Sequence, residues 1–290
     1  MKNKPTQYST LVQRSSSHMH QFIHKLCRKG DEKLHFILVH DAERSKPNQT
    51  NSAHSAHSLN SSNDKQAVLL HKPLLLLEKQ VPHMKLISKN NKSIHLLSQN
   101  AKGYAVFMEI NRRDEKSREI KEIRAQFIDV DLNKISEQFQ TKEQLKARIK
   151  QLKSDPLERI QSITIKKGKQ GQYLLRAQRA EEQVAQLKKT FLKKHWQQIK
   201  NAMIVETKNG YHIYWVIQNG SISKFVPIQK ALASKFGSDP MITNLSRVMR
   251  IPGFYHLKNP DKPYLVRVIH SGRKQPFTQE ELIQTLMLRP

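Results

Sequence analysis

Residues 125–131 read Ala-Gln-Phe-Ile-Asp-Val-Asp, a short run of strand-forming residues that carries two carboxylates. In a strand, side chains at i and i+2 share a face, their Cα atoms roughly 6–7 Å apart. Asp129 and Asp131 then converge on one side while Ile128 and Val130 pack on the other. Two carboxylates set into an apolar strand are costly to bury unless something positive neutralises them. Divalent ions answer that need, and two of them about 3.5–4 Å apart can clamp an in-line phosphoryl transfer. A strand that simply ends in a solvated Asp-x-Asp-Leu-Asn turn is the other reading of the same residues.

Outward from this stretch the pattern is mixed. Tyr104–Ile110 is rich in strand formers, and Ala202–Glu206 with Tyr211–Ile217 makes two more strands. Asn209-Gly210 between them is the favoured two-residue hairpin turn, both positions tolerating positive φ. Helices are expected over Glu137–Leu152, with Thr141 as N-cap of its main part, over a longer basic stretch at Leu174–Lys200, and near Ile228–Phe236. Leu265–His270 reads as a closing strand, and Thr278 with Glu281 as a capping box for a C-terminal helix. Such mixing favours α+β over a regular βαβ repeat.

The hairpin Glu206–Trp215 (ETKNGYHIYW) sets His212, Tyr214 and Val216 on one face and Tyr211, Ile213 and Trp215 on the other. A histidine just past a glycine-containing turn can reach a bound phosphate; a half-buried hairpin with aromatic core residues is the plainer alternative. Further on, Gly237–Lys258 (GSDPMITNLSRVMRIPGFYHLK) opens with Asp239 at a Ser-Asp-Pro turn, suited to a third metal-directed carboxylate. Arg247 and Arg250 are three apart, so a helical turn would place both guanidinium groups on one side, where their forks suit phosphate.

The 290 residues hold 51 Lys+Arg against 24 Asp+Glu, a formal charge of +27 that points to a polyanionic partner, most economically nucleic acid. Lys142–Lys200 alone has sixteen basic and five acidic residues, net +11, a candidate template-strand track. The apolar runs fall far short of the ~20 residues of a membrane span, and the N-terminus lacks a signal-peptide pattern, so a soluble, cytoplasmic protein is expected. A single cysteine, Cys27, excludes intramolecular disulfides and the usual cysteine-based zinc sites. Ten of the fourteen histidines precede residue 96, irregularly spaced and read as solvated. The division expected is an N-terminal segment over 1–47, a Ser/Asn/His-rich disordered linker over 48–66, a catalytic domain over 100–275 and a C-terminal helix over 276–290.

Taken together, these stretches resemble the archaeo-eukaryotic primase superfamily, the prim-pol fold, and within it the RepB-like primase branch of plasmids and phages. That superfamily has a DxD pair, an SxH-type histidine and a later Asp in order, here matched by Asp129/Asp131, His212 and Asp239. The flanks AVFMEIN, IVETKNGYHIYW and DPMITNLSRVMRIPGFYHLK add to the likeness, which covers roughly residues 100–275. The resemblance implies an RRM-like catalytic core that makes primers on single-stranded DNA by two-metal nucleotidyl transfer from NTP or dNTP. Asp129, Asp131 and Asp239 would hold Mg²⁺ or Mn²⁺, His212 the nucleotide phosphates, and Arg247, Arg250 and Lys258 the triphosphate or template. Two positions depart from the branch: Gly210 stands where the motif has Ser, and His256 where Asn is frequent. No G-x-x-x-x-G-K-[ST] loop occurs, so unwinding would fall to a separate helicase or initiator. A non-catalytic replication initiator and a metal-dependent nuclease are the alternatives. A relaxase built on His18-Met19-His20 lacks an accompanying tyrosine helix.

Overall fold

The computed structural model describes residues 7–27, 34–41, 65–70, 85–88, 93–114, 117, 119–168 and 171–290. The first half carries α1 (Gln7–Leu26), β1 (Leu34–His40), β2 (Lys65–Leu70), β3 (Lys85–Ser88), β4 (Ser93–His95), α2 (Leu96–Ala101), β5 (Tyr104–Glu109), β6 (Arg112–Arg113) and β7 (Ile120–Asp131). There follow β8 (Lys134–Phe139), α3 (Lys142–Ser154), β9 (Ile160–Lys167), β10 (Tyr173–Arg179), α4 (Glu181–Ile199), β11 (Met203–Glu206) and β12 (Gly210–Gly220). The chain closes with α5 (Ile222–Phe236), a 3-10 turn (Pro240–Thr243), β13 (Val248–Arg250), β14 (Tyr255–His256), β15 (Tyr264–Leu265), β16 (Arg267–His270) and α6 (Gln279–Leu286).

The architecture is α+β with antiparallel sheets, as the sequence implies. One sheet runs β13-β5-β1-β2-β3-β4, a second β16-β11-β12-β7-β6, and a small third β8-β10-β9, with β14-β15 as a short pair. The first two sheets share one hydrophobic core. Phe22, Ile23 and Leu26 of α1 and Leu34, Phe36 and Leu38 of β1 are buried in it beside Phe127, Tyr214 and Trp215. Helix α1 and strand β1 are thereby part of the same packed body as residues 100–275. The aromatic contacts Phe22–Tyr214 and Phe127–Phe225, 5.2 and 6.1 Å between centroids, tie α1 and α5 to the β7–β12 pair. The linker stretch 48–64 lies outside the described residues, and residues 65–66 open β2.

The structure departs from the sequence pattern at several places. Glu137–Phe139 is the end of β8, and the helix starts after Thr141, whose Oγ1 accepts from Gln144 N–H at 3.3 Å. Leu174–Arg179 is strand β10 and the helix spans only Glu181–Ile199. Leu, Arg, Ala and Gln favour helix locally, but pairing with β8 and β9 on both sides overrides that preference. Arg247 and Arg250 belong to a loop and to β13, not to a helical turn. At the hairpin neither Asn209 nor Gly210 has positive φ. Gly210 is needed for another reason: a Cβ there would lie 1.8 Å from the carbonyl oxygen of Val130. The C-terminal capping box forms as read, Thr278 Oγ1 accepting from Glu281 N–H at 3.0 Å.

Candidate active site

The pairing of β7 with β12 sets the site. Asp129 lies directly opposite His212, and Asp131 opposite Gly210. Facing residues of an antiparallel pair share a side, so Asp129, Asp131 and His212 stand on one face. Val130 and Ile128 are buried on the other.

The far edge of β7 beyond Ile123 meets no strand, and side chains satisfy it instead. Gln229 of α5, fully buried, accepts from Phe127 N–H at 2.9 Å and donates to Ile242 O at 3.0 Å. Asn111 repeats the arrangement, accepting from Arg124 N–H at 3.1 Å and donating to Leu245 O at 3.0 Å. Two buried amides thus clamp residues 242–245 along the β7 edge. Helix α5 stops at Gly237, in the left-handed region at φ 60, which turns the chain back towards β7. Asp239 N–H then donates to Asp129 O at 3.2 Å. The third aspartate of the sequence motif is delivered to the first by a backbone hydrogen bond.

The carboxylates are held by local partners. Asp131 Oδ1 accepts from Asn133 N–H at 3.0 Å, and Lys134 Nζ lies 3.3 Å from its Oδ2. Asp239 caps the 3-10 turn through Met241 N–H at 2.9 Å and gives its other oxygen to Arg247 at 3.2 Å. The Asp129 side chain keeps 28% exposure. Even so, the surrounding packing first, and the charges of Asp131 and Asp239 next, push its carboxyl up to about 7 against the pull of Arg247 and Lys134. Mutually repelling carboxylates are the electrostatic environment that a cation relieves. The donor set, oxygen-rich and hard, suits Mg²⁺ or Mn²⁺. Among the described residues no three Asp, Glu, His or Cys side chains converge on a common point as they stand. Arg247 occupies the oxygen of Asp239 that an ion would need.

His212 is 7% exposed. Its Nε2 is 3.6 Å from Asp129 Oδ1, its Nδ1 faces Tyr214 Oη at 3.3 Å, and the carbonyl of Arg250 accepts from the ring. Burial, then the charges of Arg250 and Arg247, pull its pKa down to about 3. Burial and the nearby Asp129 in turn raise the Tyr214 phenol. The imidazole is therefore neutral, a fixed hydrogen-bonding group rather than a cation.

Arg250 departs from expectation. Its guanidinium is buried, donating to Asp41 at 2.8 and 3.2 Å with Phe107 beneath it at 5.0 Å. Asp41, 1% exposed, also accepts from Leu257 N–H at 2.8 Å. Burial alone would raise this carboxyl, but the hydrogen bonds and charge of Arg250 hold it below the ordinary range. Arg250 and Arg247 thus serve different partners, and Lys258 is exposed on the loop after β14. Asp41, Asn111 and Gln229 were not visible as site residues in the sequence; each is one polar residue whose meaning depends on a partner at least thirteen positions away.

A family model described as the RepB DNA-primase N-terminal domain matches residues 121–289, more than half of the chain. The chain belongs to that family. The match takes in β7, β12, the 3-10 turn and β13, and so Asp129, Asp131, His212, Asp239, Arg247, Arg250 and Lys258. Two solved structures are similar at a TM-score of 0.46. One is primase RepB′, at 13% identity over 94% of this chain and 62% of that one. The other is the catalytic domain of primase RepB′ in complex with initiator DNA, at 12% identity over 94% and 93%. The chain spans less than two thirds of the first. No curated protein matches it. Among the described residues no helix is long and apolar enough to cross a membrane.

Proposed function

We propose that this chain is a DNA primase, a nucleotidyltransferase that makes primers on a single-stranded DNA template from NTP or dNTP. The observation that carries the reading is the backbone bond from Asp239 to Asp129, which gathers the motif's separated aspartates beside His212 in a member of the RepB primase family.

Asp129, Asp131 and Asp239 would hold divalent ions, Mg²⁺ or Mn²⁺. When bound, such ions activate the attacking 3′-hydroxyl and neutralise charge at the α-phosphate and the departing pyrophosphate. The protein's own share is positioning. The pairing of β7 and β12 fixes two carboxylates and a neutral imidazole on one face, and the buried amides fix the third. His212, neutral and held by Tyr214, would share its single ring N–H between the Arg250 carbonyl and a phosphate oxygen without adding charge. Arg247, which now holds Asp239, would turn to the triphosphate if that carboxylate held an ion, and Lys258, exposed on the loop after β14, would join it. Arg250 acts at a distance, by presenting its carbonyl to His212. A separate helicase or initiator would open the duplex in mobile-element replication.

The test is de novo primer synthesis on single-stranded DNA with labelled nucleotides and Mg²⁺ or Mn²⁺, beside an Asp129→Ala/Asp131→Ala variant. Short products absent from the variant are expected. Degradation of labelled DNA without added nucleotides would indicate a nuclease, and DNA binding without product in either protein a binding module.

A further inference from the structure

The sheet β8-β10-β9 has two unlike faces. One is closed by α3: Ile135, Leu175 and Ala177 are buried with Leu145 and Leu152 of the helix. The other face is open. Arg176 pairs with Ser136 on one side and Thr164 on the other, while Gln178 pairs with Lys134 and Ser162. One step further Leu174 pairs with Gln138 and Lys166. The outward positions of all three strands therefore contain three cations, hydroxyls and amides, and no carboxylate. Lys134, Arg176 and Lys166 are all exposed.

Their placement is ordered. Lys134 is in the first row on β8, Arg176 in the second on β10, Lys166 in the third on β9. Diagonal neighbours of this kind stand about 8 Å apart, so the three cations step across the sheet for roughly 16 Å. The near end of this line is the catalytic cluster, for Lys134 Nζ lies 3.3 Å from Asp131 Oδ2. The sequence's basic stretch 142–200 is thus split by the fold, the lysines of α3 standing on the far side of the sheet from this diagonal.

We infer that this open face carries the single-stranded template to the site, its phosphates following the Lys134–Arg176–Lys166 diagonal. The inference rests on the primase reading and adds the surface that the template uses. Cations interspersed with hydroxyl and amide groups match a sugar–phosphate backbone. The outward positions hold no aromatic side chain, so bases are not stacked there, and contact is tolerant of sequence and sensitive to salt.

The experiment measures binding of a labelled oligothymidylate of roughly 20 nucleotides to the full chain by anisotropy over a range of salt. An Arg176→Gln/Lys166→Gln variant is compared with Lys146→Gln/Lys150→Gln, which removes equal charge from exposed positions of α3. The first pair should weaken binding about tenfold near 0.1 M salt and lower the log–log salt slope by about 1.4, two contacts at ~0.7 each. The second pair should change binding less than about twofold. Equal losses in both pairs, or none in the first, overturn the inference. Primer synthesis by the wild-type chain separates the two readings. Primers formed with binding unchanged in the first variant remove the track and keep the primase. Binding lost as expected in that variant, with no primers from the wild type, keeps the track and removes the primase.

Discussion

The backbone N–H of Asp239 donates to the carbonyl of Asp129 at 3.2 Å across 110 positions of sequence. The bond fixes the two main chains against each other while leaving both carboxylates to move. That combination suits a site whose aspartates have one set of partners at rest, Arg247 and Met241 N–H for Asp239, and another when charged ligands arrive.

The bond is held in register by Gln229. A Gln229→Leu substitution keeps the bulk but leaves Phe127 N–H and Ile242 O buried and unpaired, at about 1–3 kcal/mol for each group. Urea unfolding should show a loss of roughly 2–6 kcal/mol, and primer synthesis should fall further than the folded fraction does. Unchanged stability in this variant would contradict the clamp.

Gly210→Ser restores the residue that the superfamily motif carries, yet its Cβ would lie 1.8 Å from Val130 O. The β7–β12 pair must part to admit it, at a cost of about 1–3 kcal/mol or more. Thermal denaturation should show a clear drop; a variant melting with the wild type would mean that the strands accommodate a side chain there.

Asp41→Ala leaves the Arg250 guanidinium buried without its counter-charge, which typically destabilises by about 3–5 kcal/mol. Replacing both, as Asp41→Ala/Arg250→Met, should recover much of that loss. Chemical denaturation of the two single variants and the double one measures the coupling.

His256 is half-buried, its Nδ1 without a hydrogen-bond partner. Burial, then the Arg250 charge, pull it down to about 4. His212 is shifted the same way, to about 3. An unfolded imidazole takes its proton near 6.5, so between about 6.5 and 4 the unfolded chain binds more protons than the native one. These two groups therefore make stability fall as pH is lowered from 7 to 5. His256→Asn should flatten that slope, by at most about 1.4 kcal/mol per pH unit. Unfolding free energies of both proteins at several pH values decide it.

With its carboxyl raised to about 7, Asp129 is largely protonated at pH 6, and an ion bound there would have to displace that proton. Mn²⁺ affinity should therefore rise between pH 5.5 and 7.5, and saturating ion should raise the melting temperature, by about 2.7 kcal/mol of stability at a hundred times Kd. Chelation should reverse the gain, and Asp239→Asn should reduce it.

Period-2 patterning and local capping were legible from the residues. Alternation in Ala125–Asp131 and in Tyr211–Ile217 suffices to place two carboxylates on one face and His212 on one side of a hairpin. Thr141 and Thr278 announce helix starts because a cap is a bond between residues three apart. Leu174–Arg179 reads as helix because a small sheet with one open face buries only Leu175 and Ala177 of that strand, too weak an alternation to outweigh helix-favouring residues.

The amino-acid sequence by itself determined which residue types could do chemistry and, through strand and cap periodicity, the local faces they occupy. Only the tertiary structure decided which of them meet. Asp239 reaches Asp129 because Gly237 turns the chain and two buried amides clamp it to an unpaired strand edge. Arg250 turns inward because Asp41, 209 positions earlier, is buried beside it. Lys134, Arg176 and Lys166 form a line only once three strands are paired. A buried polar group must find its partner wherever the chain brings one, and spacing along the sequence carries no record of that choice.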